Sequence, residues 1–145
     1  MSDAAMIVAG AIACLGLSGA GSALGTGLAA SAAVGAWKPA PFLLLSFVGA
    51  PITQTLYGMI LMFTMLGKVG KVAAGSGVPV LVAGIFAGLA IGLSALFQGR
   101  AAAAACDAQA ETNQGFTNYL AALGIVETVA IFAMVFALIA LGSVK

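Results

Sequence analysis

Charge is what this sequence has least of. Only 6% of its 145 residues are charged and 63% are hydrophobic, with a mean hydropathy of +1.19. A water-soluble domain of this size needs more polar side chains to cover its surface, so that class is excluded. Histidine is absent and two cysteines are far apart, which excludes a His/Cys transition-metal site. A net charge of +1 without a basic patch excludes a nucleic-acid partner.

The few charges lie between long apolar runs. Residues 4–37, 39–67 and 72–99 carry no charge, and residues 112–144 carry one, Glu127. Each run exceeds the roughly 20 residues that cross a bilayer as a helix. The sequence therefore predicts an all-α membrane protein with four transmembrane helices. We place these helices at about residues 4–36, 41–66, 79–106 and 116–141.

The N-terminus and the cysteines add two expectations. Met1-Ser2-Asp3 has no basic region and the following apolar run is too long for a signal peptide, so we expect a retained first helix. Cys14 lies early in the first helix and Cys106 ends the third, near opposite membrane faces if both helices cross in one direction. A disulfide between them is not expected.

The two halves of the chain repeat each other. Residues 22–33 align with residues 94–105, and the second helix aligns with the fourth so that Gln54 pairs with Glu127. We therefore expect one membrane domain, 1–145, built from two helical hairpins, 4–66 and 79–141. Because the period spans two crossings, both hairpins insert in the same direction, which argues against inverted-repeat transporters.

A polar stripe interrupts the second helix. Ala50, Thr53, Gln54 and Tyr57 are spaced i, i+3, i+4 and i+7, so they share one helix face. Pro51 removes a backbone donor and leaves carbonyl oxygens near that face under-bonded. Inside lipid such groups need partners, so the stripe is a functional candidate.

Glu127 is the only ionisable residue deep inside a predicted helix. Its charge requires a proton, a cation or another subunit, because Arg100 is expected toward a helix end, where its side chain can reach the interface. Counted from the face shared by the first and third connections, Gln54, Gln98 and Glu127 lie roughly 14–20 Å deep. These three side chains can therefore meet in one layer.

The layer would offer oxygen ligands with a single negative charge. The predicted ligands are the carboxylate, two amides, a hydroxyl and a backbone carbonyl of Glu127, Gln54, Gln98, Thr53 and Ala50, respectively. Such a set suits a monovalent hard cation, and we expect Na⁺, whereas Mg²⁺ or Ca²⁺ would require more charge or water. Tyr57 could donate a hydrogen bond to the carboxylate. A proton, needing only Glu127, stays open as the alternative, as do interhelical hydrogen bonding for the Gln and Thr residues and ordinary packing for Tyr57.

Three motifs together resemble the four-helix proteolipid (c or K) subunit of V-type and A-type rotary ATPases, above all its sodium-pumping bacterial members. They are Pro51-x-Thr53-Gln54-x-x-Tyr57-Gly58 in the second helix, Phe97-Gln98-Gly99 in the third and the lone Glu127 in the fourth. The resemblance covers essentially the whole chain. It implies a homo-oligomeric ring with the first and third helices inside and the second and fourth outside.

The resemblance also implies the partners and the mechanism. The ring would turn in a bacterial cell membrane against a stator subunit bearing an arginine, and central-stalk subunits would couple it to ATP hydrolysis or synthesis. The chain itself would not be an enzyme, since it has neither a phosphate-binding loop nor a nucleophile–base pair. The family orientation places the first and third connections in the cytoplasm, although the distribution of Lys and Arg weakly opposes this.

Two other classes compete with this interpretation. A small four-helix, proton-coupled exporter would also carry one membrane carboxylate, but such proteins tend to place it in an aromatic-lined first helix, and here the first helix is uncharged throughout its span and poor in aromatic residues. A structural membrane scaffold would have no need for a carboxylate at mid-depth.

Overall fold

In a computed structural model, residues 1–36 and 41–144 are described, and their regular structure is entirely helical. A short 3₁₀ turn, Ala50–Ile52, separates the second and third of the five α-helices in these ranges. The helices are α1 (Asp3–Gly35), α2 (Pro41–Gly49), α3 (Thr53–Leu66), α4 (Gly77–Thr112) and α5 (Phe116–Ser143). The predicted all-α fold is confirmed. The predicted first connection, with its Trp and Lys, lies outside the described residues.

Within residues 1–36 and 41–144, four helical segments are long and apolar enough to cross a membrane: α1, residues 42–66, α4 and α5. Residues 42–66 contain α2, the 3₁₀ turn and α3, and are called the second span below. The protein is therefore an integral membrane protein that crosses the bilayer several times.

The 3₁₀ turn in the second span forms where the sequence places Pro51. Proline has no N–H and its ring crowds the carbonyl four residues earlier, so a regular α-helix cannot continue unchanged through it. The chain tightens instead, and the Thr53 N–H bonds to the Ala50 carbonyl. The break puts this carbonyl and the Thr53 side chain side by side at the middle of the span.

The end of α4 differs from the prediction. The helix continues to Thr112 instead of ending near Cys106, and Asn113 stops it with a left-handed backbone (φ 51°) whose N–H bonds to the Gln109 carbonyl. The polar residues that follow Cys106 are adequate helix formers, and the chain turns only where Asn and Gly accept positive φ. Arg100 therefore lies about three turns before the end of α4, and not near a helix end as the sequence predicted.

Close backbone contact joins α1 to α4. A Cβ atom on Gly21 would collide with the backbone of Gly92, and one on Gly99 would collide with the backbone of Gly25. Since the contacting residue numbers rise together along both helices, α1 and α4 run parallel. Small residues allow two helices in a membrane to approach this closely.

The ends of the helices show the arrangement of the two hairpins. The Asp3 carboxylate accepts hydrogen bonds from the N–H groups of Gly75 (2.8 Å) and Gly77 (2.9 Å), and Lys68 Nζ donates to the Val144 carbonyl (2.8 Å). The N-terminus, Val144 and the 67–76 connection therefore lie at one end, and the 113–115 turn lies at the other. The two hairpins consequently stand side by side in the same direction.

Two apolar clusters fill the interior of the part of the chain that the structure describes. Ile7, Cys14, Leu61, Met65 and Val80 belong to the cluster nearer the termini, and Ala29, Leu44, Phe47, Ala102 and Cys106 belong to the other. The two cysteines are free thiols in different clusters. The polar residues of the second span, α4 and α5 lie between these clusters.

Candidate ion-binding site

The candidate site is a buried polar layer between the second span, α4 and α5. Gln54 and Gln98 are both 0% exposed, and Glu127 is half-buried on α5. A buried amide is costly unless its donors and acceptors have partners. The geometry of this layer therefore follows from how these three side chains satisfy one another.

A chain of hydrogen bonds crosses the layer. Thr53 Oγ1 donates to Gln54 Oε1 (3.1 Å), and Gln54 Nε2 donates to Gln98 Oε1 (2.7 Å). Gln98 Nε2 lies 3.5 Å from Glu127 Oε2, a long hydrogen bond that ends the chain at the carboxylate. The chain connects α3 to α4 and α4 to α5, so it links the two hairpins at one level.

The carboxylate has a second donor on its other oxygen. Tyr57 Oη donates to Glu127 Oε1 at 2.5 Å, a short hydrogen bond typical of an O–H group on an ionised acceptor. Tyr57 lies one turn beyond Thr53 on α3, so the same helix face supplies both ends of the network. Glu127 is thereby held against the second span, turned away from the exposed side of α5.

The second span concentrates oxygen atoms beside the proline break. Thr53 Oγ1 lies 3.1 Å from the Ala50 carbonyl oxygen and 3.1 Å from Gln54 Oε1. Gln98 Oε1 accepts one hydrogen bond and has a second lone pair. With Glu127 Oε2, which lies 3.5 Å from Gln98 Nε2, these are the oxygen atoms that the sequence predicts as ligands of a cation. Hard cations prefer such ligands.

All six residues singled out from the sequence lie in this network. They are Ala50, Thr53, Gln54, Tyr57, Gln98 and Glu127. Their role as cation ligands stays a prediction. The interhelical hydrogen bonds proposed as the alternative for Gln54 and Gln98 are also present, and the two roles are compatible because an amide binds a cation through oxygen and donates through nitrogen.

Two further groups were not anticipated. Gln98 Nε2 donates to the Leu123 carbonyl (3.0 Å), and Ser94 Oγ donates to the Val126 carbonyl (3.0 Å). The first bond occupies one amide hydrogen, so it orients Gln98 with its oxygen toward Gln54. The repeat contains a signal for Leu123: pairing Gln54 with Glu127 pairs Ala50 with Leu123, the two residues whose carbonyls take part.

The surface of α5 around Glu127 is apolar. Ile125 is 71% exposed, Val129 57% and Phe132 60%. Such a surface matches lipid, where an unpaired carboxylate would be penalised. The inward hydrogen bonds of Glu127 therefore matter more than they would in water.

A comparison with known protein families finds a match within the second hairpin. Residues 81–140 match the family model of the C subunit of ATP synthase, and this match includes Gln98 and Glu127 but not the second span. Comparison of the chain with curated proteins yields no match. The hairpin of α4 and α5, with the carboxylate of the candidate site, is thus similar to the C subunit of ATP synthase.

Proposed function

We propose that this chain is the ion-carrying subunit of a rotor ring in the membrane sector of a V/A-type rotary ATPase. It would bind Na⁺ at Glu127 and carry it across the membrane while partner subunits hydrolyse or synthesise ATP. The observation that carries the proposal is the position of Glu127: a carboxylate near the middle of α5, hydrogen-bonded to buried Gln98 and through it linked to buried Gln54, within the segment that matches the ATP synthase family model.

The donor set supports Na⁺ over a proton. A proton needs only the carboxylate, whereas the structure adds a hydroxyl, a backbone carbonyl and two amides on the second span and α4. Glutamine and threonine oxygens are neutral, so a site that they form with Glu127 would carry one negative charge. That charge balances one monovalent cation. The proton-carrying ring is the second candidate, because the Tyr57 hydroxyl alone would suffice to orient a carboxylic acid.

The location of the site suggests how transport and rotation are coupled. With a cation bound, the site is nearly neutral and can face lipid at low cost. When the cation leaves, the bare carboxylate is penalised by lipid and attracted to an arginine of the stator subunit. Ions would be exchanged at the stator, and only a site with a bound cation would readily move back into lipid. Rotation of a ring of identical subunits would therefore depend on ion translocation.

The duplication of the hairpin predicts how many cations each subunit carries. Gln54 stands where the other hairpin has Glu127, so one four-helix subunit would carry one cation. A ring built from such subunits has half the sites of a ring with a carboxylate in every hairpin. It would move fewer ions per ATP, which suits pumping against a steep gradient in a bacterial cell membrane.

Carbodiimide labelling tests the proposal, since the reagent modifies only a protonated and accessible carboxyl group. We expect Na⁺, but not K⁺ at equal ionic strength, to protect Glu127 from modification in the isolated protein at neutral pH. Modification would be located by peptide mass spectrometry, with Glu111 outside the network as the internal control. Labelling that ignores Na⁺ and depends only on pH would refute sodium binding and favour the proton-carrying ring.

A further inference from the structure

Ser94 makes a contact beside the candidate site that the proposed function does not use. It is 6% exposed on α4, one turn before Gln98, and its Oγ donates to the Val126 carbonyl on α5 (3.0 Å). The carbon of that carbonyl is bonded to the backbone nitrogen of Glu127. The contact therefore fixes the main chain of α5 directly next to the residue that carries the carboxylate.

A second hydrogen bond holds α5 one turn away. Gln98 Nε2 donates to the Leu123 carbonyl (3.0 Å). Leu123 and Val126 are three residues apart, so the two carbonyls lie on one face of α5. Two attachment points on one face restrain both the height of α5 along α4 and its rotation about its own axis.

Packing restrains this rotation only weakly. Of the 28 residues of α5, all of which lie within the described ranges, only Leu123, Ala130 and Leu141 are buried. Apolar burial does not drive helices together in lipid, so a largely exposed helix depends more on its hydrogen bonds. A rotation of α5 would carry Glu127 away from Tyr57, whose hydroxyl donates to the carboxylate.

Among the described residues, the first hairpin has no equivalent bond. The repeat pairs Ser22 with Ser94. Ser22 is 5% exposed and is therefore as buried as Ser94, yet its Oγ has no hydrogen-bond partner in the part of the chain that the structure describes. The same residue type at the same repeat position thus bonds to the neighbouring helix in one hairpin and not in the other.

The proline break distinguishes the two hairpins at this point. A Cβ atom on Gly25 would lie 3.1 Å from Pro51 Cβ, so the proline ring packs against α1. The residue that the repeat pairs with Pro51 is Gly124, which lies within the uninterrupted α5. The serine contact is thus found in the hairpin that carries the carboxylate. A contact needed only to pack a hairpin would be expected in both.

We propose that Ser94 is a positioning residue that keeps Glu127 turned toward the second span by fixing the backbone of α5. It acts through the Val126 carbonyl rather than by binding the cation. The inference rests on the proposed function and deepens it, because it names a group that sets how often the carboxylate leaves its partners.

Carbodiimide labelling measures this orientation without a bound cation. In Na⁺-free buffer at fixed pH, a carboxyl group that turns outward more often reacts faster. Ser94→Ala should raise the labelling rate of Glu127 in the intact protein about fivefold, since a hydrogen bond between neutral groups changes an equilibrium constant by roughly two- to tenfold. The Na⁺ concentration that halves the labelling should also rise, because binding requires the inward orientation.

The repeat supplies a matched control. Ser22→Ala makes the same chemical change at the equivalent and equally buried position, so the labelling rate and its Na⁺ dependence should equal those of the wild type. Ser94→Thr retains the hydroxyl group, and the groove of about 310 Å³ that Ser94 lines together with Phe97 and Val129 has room for the added methyl group. This variant should be labelled at about the wild-type rate.

The outcomes separate this role from the proposed function. Equal labelling rates in Ser94→Ala and Ser22→Ala, or a rise in Ser94→Thr as large as that in Ser94→Ala, would overturn the positioning role and leave sodium binding untouched. If Na⁺ protects Glu127 in none of the proteins, the wild type included, sodium binding is refuted. The labelling rates in Na⁺-free buffer would still decide the role of Ser94.

Discussion

The hydrogen bond from Tyr57 to Glu127 offers the sharpest test of the site. Tyr57→Phe removes one hydroxyl and leaves the ring of the side chain in place. The bond joins Tyr57 Oη to Glu127 Oε1 at 2.5 Å, while Gln98 Nε2 on the other oxygen is 3.5 Å away. The tyrosine is therefore the stronger of the two restraints that keep the carboxylate turned inward.

The magnitude follows from the nature of this bond. A hydrogen bond to a charged group contributes about 1.5–3 kcal/mol, which corresponds to roughly 10- to 150-fold in an equilibrium constant. The lower part of this range is expected because both residues are only half-buried. We therefore predict that Tyr57→Phe weakens Na⁺ binding about tenfold and speeds ion exchange, since Glu127 would turn outward more often.

Equilibrium binding of radioactive sodium to the purified ring measures this effect. Tyr119→Phe is the matched control, because it makes the same chemical change in the second apolar cluster, where Tyr119 packs edge-on against Phe47 at 6.2 Å between centroids. Unchanged Na⁺ affinity in Tyr57→Phe, or an equal loss in Tyr119→Phe, would refute the assignment of Tyr57 as the group that holds Glu127 inward.

Two other substitutions test the site and the packing. Glu127→Gln should abolish Na⁺ binding and transport while the ring still assembles, as measured by native mass spectrometry; retained transport would contradict the site. Gly25→Ala should lower the stability of the folded protein by about 1–3 kcal/mol, since its Cβ would meet the Ala95 carbonyl on α4. Gly16→Ala is the control for thermal unfolding in detergent, since among the described residues its Cβ would meet no atom of another helix within 4 Å.

Much of the site could be inferred from periodicity alone. The i, i+3, i+4, i+7 spacing places the polar residues of the second span on one helix face whatever the tertiary structure. The pairing of Gln54 with Glu127 then places two helices at the same depth, because both hairpins insert in one direction. Leu123 was missed because a backbone carbonyl carries no signal in its own side chain.

Other features required the packed structure. Arg100 was expected near a helix end, yet α4 continues to Thr112, since the residues beyond Cys106 can be helical and the chain turns only at Asn113. The sequence shows the hydroxyls of Ser22 and Thr26 among many small residues of α1. Only the packing of α1 against the second span shows that these two are buried with no partner among the residues that the structure describes.

The sequence by itself determined that four helices cross a membrane and that one carboxylate lies among them, because long uncharged runs leave the chain no other way to shield its backbone. The tertiary structure decided what that carboxylate contacts. Hydrogen bonds are directional and short, so the depth of these residues could not predict that Tyr57 and Gln98 would each donate to a different oxygen of Glu127. Which groups reach Glu127 depends on how closely the two hairpins approach each other, and the glycines of α1 and α4 set that distance.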